Sequence, residues 1–172
     1  MAQERKGVVT FKGNPLTLAG PELKVGSLAP DFQVSANDLS SVNLAGSKGK
    51  IRIFNIVPSL DTPVCDIQTK RFNQEAAKLP AHYVVYTVSC DLPFAQARWC
   101  GAAKADKLKF VSDYKDVSFG QAYGVLIKEL RLLTRAVIIV DEQDKISYVQ
   151  IVKEVTDQPN YEDVLSAIKQ KV

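Results

Sequence analysis

The octapeptide PSLDTPVC, residues 58–65, places a cysteine where an apolar segment gives way to a helical one. The run IRIFNIV before it is typical of a buried strand. Thr62 favours the N-cap of the helix that follows and Pro63 suits its first position, so Cys65 is predicted at the third position. There the sulfur lies near unpaired backbone N–H groups and the positive end of the helix dipole, and both favour the thiolate. We therefore expect a reactive Cys65, although a free cysteine is more commonly an inert core residue.

Two further residues could act on such a thiolate or on its substrate. Arg135, in LLTRAVIIVD, precedes a predicted core strand. A guanidinium can hydrogen-bond both a thiolate and an oxygen-containing substrate, although an exposed charge at the strand edge is the commoner reason for such a position. The Thr62 hydroxyl can cap the helix or interact with a substrate oxygen held beside the sulfur.

The other two cysteines have different surroundings. Cys90 ends a predicted core strand in TVSCD, and we expect it to be a buried packing residue. Cys100 lies near the end of a predicted helix in ARWCGA, next to Gly101, which can end or loosen the helix and expose a thiol. An unreactive, half-buried surface cysteine is the alternative interpretation of Cys100.

Several kinds of cysteine chemistry are disfavoured. A cysteine hydrolase needs a histidine base, and nothing in the sequence pairs the sole histidine, His82, with Cys65. The sequence has no CxxC motif for a disulfide reductase or a zinc site and no glycine-rich nucleotide motif, so neither a metal nor a cofactor is predicted. A thiolate that needs no external base can attack the O–O bond of a peroxide, and a second thiol can trap the resulting sulfenic acid as a disulfide.

The composition is that of an ordinary globular chain. Of 172 residues, 46% are hydrophobic and 24% are charged, and the net charge of +3 is spread along the chain, so we expect no nucleic-acid partner. The longest apolar runs, such as 136–140, are too short to cross a membrane, and the N-terminus lacks an apolar signal region. Three cysteines, an odd number, do not suggest a secreted disulfide framework, so a cytoplasmic location is expected.

The elements that must position these residues follow from the apolar and turn patterns. They are a β-hairpin over 7–20 with the turn KGNP, a connector over 21–32, a possible short strand over 42–44, strands over 51–57, 82–89 and 108–113, helices from Pro63 to about Leu79 and over 92–104 with Asp91 as its cap, a helical turn over 117–125 ending at Gly124, a strand–turn–strand hairpin over 136–152, and an amphipathic helix over 160–172. This order predicts an α/β fold with a mixed central sheet flanked by helices, in one domain over 1–172. A thioredoxin-like sheet fits the order better than a flavodoxin-like sheet, in which strands and helices alternate to the end.

PSLDTPVC also contains the Pro-x-x-x-Thr-x-x-Cys pattern of peroxiredoxins. The chain further contains SCDLPFAQARWCG, AYGV, LTRAVIIVDE and the N-terminal KGNPLTL hairpin. In this combination it closely resembles the bacterial thiol peroxidases, the atypical two-cysteine branch of the peroxiredoxins, over nearly its whole length. The resemblance implies a thioredoxin fold and an enzyme that reduces hydrogen peroxide and alkyl hydroperoxides.

The resemblance also implies a role for each matching residue. Cys65 corresponds to the peroxidatic cysteine, Pro58 shields it, and Thr62 and Arg135 orient and polarise the peroxide. Cys100 matches the resolving cysteine, which forms an intramolecular disulfide with Cys65 that thioredoxin reduces. Members of the branch are typically homodimers.

Two residues depart from the pattern of the thiol peroxidases. Many relatives have glycine where this chain has Pro63, but other peroxiredoxins carry proline there. Cys90 is an additional thiol that could form other disulfides. A redox sensor that switches a partner surface with the same disulfide is the alternative function, and a thioredoxin-like domain without chemistry is a third.

Overall fold

The computed structural model describes residues 3–171. In chain order the elements are β1 Glu4–Phe11, β2 Asn14–Ala19, β3 Val34–Ala36, β4 Ser41–Val42, a 3₁₀ turn Leu44–Ser47, β5 Ile51–Ile56, α1 Pro63–Ala76, β6 Tyr83–Ser89, α2 Pro93–Ala103, β7 Lys109–Ser112, α3 Ser118–Ala122, β8 Leu126–Ile127, β9 Leu132–Leu133, β10 Ala136–Val140, β11 Ile146–Ile151 and α4 Tyr161–Lys169. None of the helices within this range is long and apolar enough to cross a membrane.

The central sheet has seven strands in the order β11–β10–β5–β6–β7–β3–β4. Strands β5, β6 and β7 are parallel, whereas β10 is antiparallel to β5 and β11 is antiparallel to β10. The mixed α/β sheet predicted from the sequence is therefore confirmed. Because Ile56 lies opposite Ala136, the chain leaving β5 and the chain entering β10 meet at one edge of the sheet.

Side chains of β5 alternate between two packed layers on opposite faces of this sheet. Ile51 and Ile53 pack in the layer that also contains residues of α1, α2 and α4. Phe54 and Ile56 pack in the other layer, together with α3. Because both faces are covered, every residue of β5 is buried, which explains why its sequence is apolar except at Arg52 and Asn55.

The N-terminal hairpin is confirmed, but its turn lies earlier than predicted. Lys12 and Gly13, with φ of 49° and 79°, form a two-residue turn, so Asn14 and Pro15 belong to β2. Such a turn matches the twist of the flanking strands. The hairpin joins β8 and β9 in a second, four-stranded sheet, and neither β8 nor β9 was predicted.

Other boundaries also differ from the prediction, and α3, for example, ends at Ala122 rather than at Gly124. The possible strand over 42–44 is limited to β4, because Leu44 begins the 3₁₀ turn that Asn43 caps through its side chain. Helix α1 ends at Ala76 rather than near Leu79, since the chain turns there toward Pro80. Helix α4 ends at Lys169, and the last residue of its predicted range, 172, lies outside the described residues.

Candidate active site

Cys65 lies in the first turn of α1, at the position that the sequence predicts. Thr62 is the N-cap with extended backbone (φ −110°, ψ 145°), Pro63 is the first helical residue, and Cys65 is the third. The Cys65 side chain is fully buried. Its sulfur therefore combines exclusion from water with proximity to the positive end of a helix, and only the second of these favours the thiolate.

Arg135 supplies the cation that a buried thiolate needs. It immediately precedes β10, is only 2% exposed, and its Nη2 donates to Cys65 Sγ at 3.3 Å. Its Nε donates to the carbonyl oxygen of Val155 at 2.9 Å and its Nη1 to Gln68 Oε1 at 2.7 Å. Arg135 is thus a buried partner of the sulfur and not an exposed charge at the strand edge.

The Thr62 side chain does not cap the helix, so that prediction is wrong. Its Oγ1 donates instead to the carbonyl oxygen of Ser59 at 2.9 Å. The turn over 59–62 brings this carbonyl within reach, since the Thr62 backbone N–H donates to it as well. The lone pairs of the hydroxyl oxygen remain available to a ligand.

A cavity of about 190 Å³ opens beside Arg135. It is lined by Phe11, Pro58, Thr62, Pro63, Val64, Arg135, Val155 and Thr156. Apart from Arg135 and the two threonines, these side chains are apolar. The cavity therefore presents a small, mainly apolar entrance next to the guanidinium, and the buried Pro58 forms part of its wall.

Cys100 lies on α2, on the same face of the central sheet as Cys65. It is half-buried, and its Sγ donates to the carbonyl oxygen of Ala105 at 3.4 Å. Burial raises the pKa of this thiol, and the nearby Asp106 carboxylate raises it further. The helix continues past Gly101 to Ala103 and ends where Lys104 takes a left-handed conformation, so Gly101 does not end it.

Cys90 is separated from the other two cysteines by the central sheet. It packs against the opposite layer, which contains Phe54 and Phe119, and is only half-buried where full burial was expected. Burial, followed by the charge of Asp113, raises the pKa of the Cys90 thiol to about 12. Cys90 therefore remains a protonated packing residue at neutral pH.

Asp91 has a different role from the helix cap that the sequence predicted. Leu92 is the N-cap of α2, without a side-chain cap bond. The Asp91 carboxylate accepts from Ser59 Oγ at 2.7 Å, from the backbone N–H of Leu60 at 2.8 Å and from Ser89 Oγ at 2.8 Å. Two of these donors, Ser59 and Leu60, belong to the segment between β5 and α1, so Asp91 attaches that segment to the end of β6.

Sequence reasoning also missed two contacts next to the cysteines. Trp99, which precedes Cys100, donates from Nε1 to Oδ1 of Asp66, which follows Cys65, at 3.0 Å. Gln68 is the direct partner of Arg135. A tryptophan and an acid each adjacent to a cysteine were visible in the sequence, but their proximity depends on how α1 and α2 pack.

Comparison with known proteins identifies the family of the chain. The Redoxin family model matches residues 24–165. The thiol peroxidase of Bacillus subtilis is 56% identical over 161 residues, which cover 94% of this chain and 96% of the relative. The thiol peroxidase of Staphylococcus haemolyticus is 50% identical over 94% of this chain and 97% of the relative.

Solved structures of peroxiredoxin-like proteins share the fold of this chain. A peroxiredoxin-like protein from Aquifex aeolicus matches with a TM-score of 0.90 and 43% identity, over 96% of this chain and 98% of that one. A thiol peroxidase from Chromobacterium violaceum, at 17% identity, shares the fold with a TM-score of 0.84 over 95% of both chains. The chain therefore belongs to the redoxin family, within its thiol peroxidase branch, and is a peroxiredoxin-type oxidoreductase.

Proposed function

We propose that this chain reduces hydroperoxides with Cys65 as the peroxidatic thiol. The observation that carries the proposal is the 3.3 Å contact between Arg135 Nη2 and the Sγ atom of the buried Cys65, in the first turn of α1. The guanidinium and the helix dipole both favour the anion, so no external base is needed. The sole histidine is not placed to act as a base. His82 is exposed and precedes the N-terminal end of β6, whereas Cys65 follows the C-terminal end of the parallel strand β5, so the two residues lie at opposite ends of these strands.

The first step is attack of the thiolate on the terminal peroxide oxygen. An S–O bond forms and the O–O bond breaks, so Cys65 becomes a sulfenic acid while the peroxide is reduced. The leaving oxygen takes up a proton from solvent and departs as an alcohol or as water. In this step Arg135 donates hydrogen bonds to the peroxide, the Thr62 hydroxyl orients it, and Pro58 shields the sulfur from water.

The substrates that we propose are hydrogen peroxide and alkyl hydroperoxides. The cavity beside Arg135 supports the second class, because most of its lining is apolar and can cover an alkyl chain. Thr62, Arg135 and Thr156 supply the polar part of the lining, and we propose that the O–O group lies beside Thr62 and Arg135.

In the second step Cys100 resolves the sulfenic acid. Its thiol attacks the Cys65 sulfur, a disulfide forms and water leaves, and a dithiol reductant then supplies two electrons and two protons. We propose thioredoxin as this reductant. A disulfide requires Cα atoms within roughly 7 Å, so the end of one helix or of both must unwind if the reduced sites lie further apart.

The cycle also suggests the surroundings of the protein. Continual reduction of the Cys65–Cys100 disulfide needs a reducing thiol pool, which favours the cytoplasm and a role in antioxidant defence. We further propose a homodimer of a single catalytic domain, as the resemblance to the thiol peroxidases implies.

Single-cysteine variants test the proposal. Cys65→Ser should abolish peroxide consumption, whereas Cys100→Ser should allow one oxidation and stop thioredoxin-driven recycling. The masses and disulfide map after one equivalent of peroxide, together with steady-state turnover with thioredoxin, are the measurements. Substantial turnover by Cys65→Ser would exclude the proposed mechanism, and a single oxidation with slow recycling in the unmodified protein would favour a sensor.

A further inference from the structure

Buried polar side chains connect the centre of the seven-stranded sheet to the guanidinium of Arg135. Gln68 Oε1 accepts from Arg135 Nη1 at 2.7 Å, and Gln68 Nε2 donates to Asn55 Oδ1 at 2.6 Å. Asn55 Nδ2 in turn donates to the hydroxyls of Thr69 and Thr87 at 3.2 Å and 3.1 Å. All members except Arg135 are completely inaccessible to solvent. We call Asn55, Gln68, Thr69 and Thr87 the amide relay.

Each amide in the relay can adopt only one orientation. A guanidinium only donates hydrogen bonds, so the oxygen of Gln68 must face Arg135 and its NH₂ group must face Asn55. The oxygen of Asn55 must then face Gln68, which leaves its NH₂ group for the two threonine hydroxyls. The charge of the Arg135 guanidinium at one end of this network therefore fixes the direction of every hydrogen bond in it.

The far end of the relay is rigid. Asn55 is in β5, and Thr87 lies directly opposite it in the parallel strand β6. Thr69 is in α1, one turn after Cys65. Asn55 is thus held by two neighbouring elements, and its hydrogen bond to Gln68 fixes the position of the Gln68 amide.

The near end of the relay determines where the guanidinium points. Arg135 has a long, flexible side chain, but its Nε is held by the Val155 carbonyl and its Nη1 by Gln68. Two acceptors at fixed places define the plane of a guanidinium, and the remaining nitrogen, Nη2, is then directed at Cys65 Sγ. Without Gln68, Arg135 could rotate about its bond to the Val155 carbonyl.

The relay also lies in an apolar layer, where polar groups are costly unless satisfied. Its surroundings include Ile53, Phe72 and Ile139. A fully satisfied network in such a layer fixes one arrangement of its members, whereas apolar side chains would only fill the space.

We propose that Asn55 and Gln68 are positioning residues for the oxidation of Cys65, because they hold Arg135 in the orientation that directs Nη2 at the sulfur. The inference rests on the proposed role of Cys65. Neither residue touches the sulfur, so both act through Arg135.

The central test is Gln68→Met, which keeps the length of the side chain and removes both hydrogen bonds. We expect the rate constant for oxidation of Cys65 by hydrogen peroxide to fall about tenfold. This is the usual size of the effect when a residue that orients a reacting group, without touching the substrate, is removed. The rise of this rate constant with pH should also move to higher pH, since the thiolate loses an aligned donor. Rapid mixing in the Cys100→Ser background measures the first oxidation alone.

Gln96→Met is the matched control. Gln96 is another fully buried amide, on α2, and donates to Ser89 Oγ at 3.0 Å and to the carbonyl oxygen of Val111 at 2.9 Å. Neither of these hydrogen bonds involves Arg135, so this variant loses comparable polar contacts while its oxidation rate should stay within about twofold of the unmodified protein.

A double-mutant cycle with Arg135→Ala separates positioning from a general structural effect. If Gln68 acts only through Arg135, then Gln68→Met should cause less than about a twofold further loss once Arg135 is absent. The same factor of loss in both backgrounds, or equal behaviour of Gln68→Met and Gln96→Met, would overturn the inference. If circular dichroism shows that Gln68→Met does not fold, Asn55→Leu replaces it in the double-mutant cycle with Arg135→Ala, and the same criteria apply. Failure of peroxide to oxidise Cys65 in the unmodified protein would instead reject the proposed function.

Discussion

At the scale of single residues, opposing effects act on the Cys65 sulfur. Complete burial disfavours its anion, whereas the start of α1 and the guanidinium of Arg135 favour it. A helix dipole contributes roughly 0.3–1 kcal/mol, while a hydrogen bond to a charged group contributes about 1.5–3 kcal/mol. We therefore expect Arg135 to contribute more than the helix to the thiolate that we propose.

Arg135→Lys tests whether charge alone is sufficient. A lysine keeps the charge but lacks the planar guanidinium, so it cannot reproduce the simultaneous hydrogen bonds to the Val155 carbonyl, Gln68 Oε1 and Cys65 Sγ. We expect the rate of Cys65 oxidation to fall by about 10²-fold, as for the loss of an oriented donor at a reaction centre. Stopped-flow oxidation with hydrogen peroxide measures this, and a rate close to that of the unmodified protein would show that orientation is unimportant.

Thr62→Val should reduce activity without the loss of stability that a missing helix cap causes. Valine has the same shape and tolerates the extended backbone of this position, but it has no hydroxyl for a peroxide. Thr62→Val removes no side-chain cap bond and loses only the exposed bond to the Ser59 carbonyl, which still accepts from the Thr62 backbone N–H. Urea unfolding should therefore show a loss smaller than the cost of about 1 kcal/mol for removing a cap. Thr62→Ser is the control that keeps the hydroxyl. A Thr62→Val protein with normal peroxide turnover would rule out the proposed role of the hydroxyl.

Cys90→Ser should leave peroxide turnover unchanged. With a pKa raised to about 12, the Cys90 thiol is almost entirely protonated at neutral pH, and the sheet separates it from Cys65. Steady-state assays with thioredoxin and mass mapping of the oxidised protein check this. A disulfide that includes Cys90 in the unmodified protein would contradict the expectation.

At the scale of elements, the strands and helices with strong patterns were predictable. The strand IRIFNIV is apolar because both of its faces are covered, and the composition alone reveals this. Strands β8 and β9 have two residues each, too few for a period to show, and they form because β8 pairs with β2 of the N-terminal hairpin and β9 pairs with β8. Local propensity cannot predict such an element.

The candidate site was predictable in its chemistry but not in its connections. The positions of Cys65 and Arg135 followed from local rules and from the resemblance to peroxiredoxins. The roles of Thr62 and Asp91 did not. Thr62 instead bonds the Ser59 carbonyl within a local turn, whereas Asp91 bonds the segment before α1, which only the tertiary structure brings within reach. Asn55 was a visible signal, since it is an uncharged polar residue in the middle of a buried strand.

The contact between α1 and α2 leads to a prediction about the resolving step. Trp99 and Asp66 flank the two cysteines and hold the helices together, so their hydrogen bond opposes any unwinding that Cys100 needs to reach Cys65. Trp99→Phe keeps a ring against Phe110 and loses the N–H group. A net hydrogen bond contributes about 1 kcal/mol, so disulfide formation should become roughly fivefold faster. Rapid acid quench followed by alkylation and mass analysis gives the rate.

Arg98→Gln is the control for this effect. Its ion pair with Asp61 also links α2 to the active-site segment, but it is exposed, with 3.7 Å between the charged atoms, and should contribute little. Disulfide formation that is unchanged or slower in Trp99→Phe would show that the Trp99–Asp66 contact does not restrain the helices.

At the scale of the whole molecule, the cavity depends on elements that are distant in sequence. Phe11 belongs to the N-terminal hairpin, which Glu154 holds by accepting from Thr10 Oγ1 at 2.6 Å and from the N–H groups of Lys12 and Gly13 at 2.8 Å and 3.1 Å. These bonds lower the pKa of Glu154 to about 2. The attachment of the hairpin should therefore weaken progressively as the pH falls from about 4.5, the ordinary pKa of a glutamate, to about 2.

Asp113 contributes to stability with the opposite dependence on pH. Its carboxylate is 2% exposed and accepts from the N–H groups of Phe119 and Gly120 at the start of α3. Burial raises its pKa from the ordinary 3.8 to about 6, although the two hydrogen bonds oppose this. Between these pH values the folded state binds more protons than the unfolded state, so ionisation of Asp113 destabilises the fold as the pH rises from about 4 to 6.

Asp113→Asn should remove this pH dependence, because the amide does not titrate. The stability of the unmodified protein minus that of the variant should fall between pH 4 and pH 6, by up to about 3 kcal/mol, since each pKa unit corresponds to about 1.4 kcal/mol. Urea unfolding at pH 4, 5, 6 and 7 measures the difference. Asp116→Asn removes an exposed carboxylate nearby and should give a nearly constant difference over the same range. A constant difference for Asp113→Asn as well would mean that Asp113 ionises at its ordinary pH and does not oppose folding.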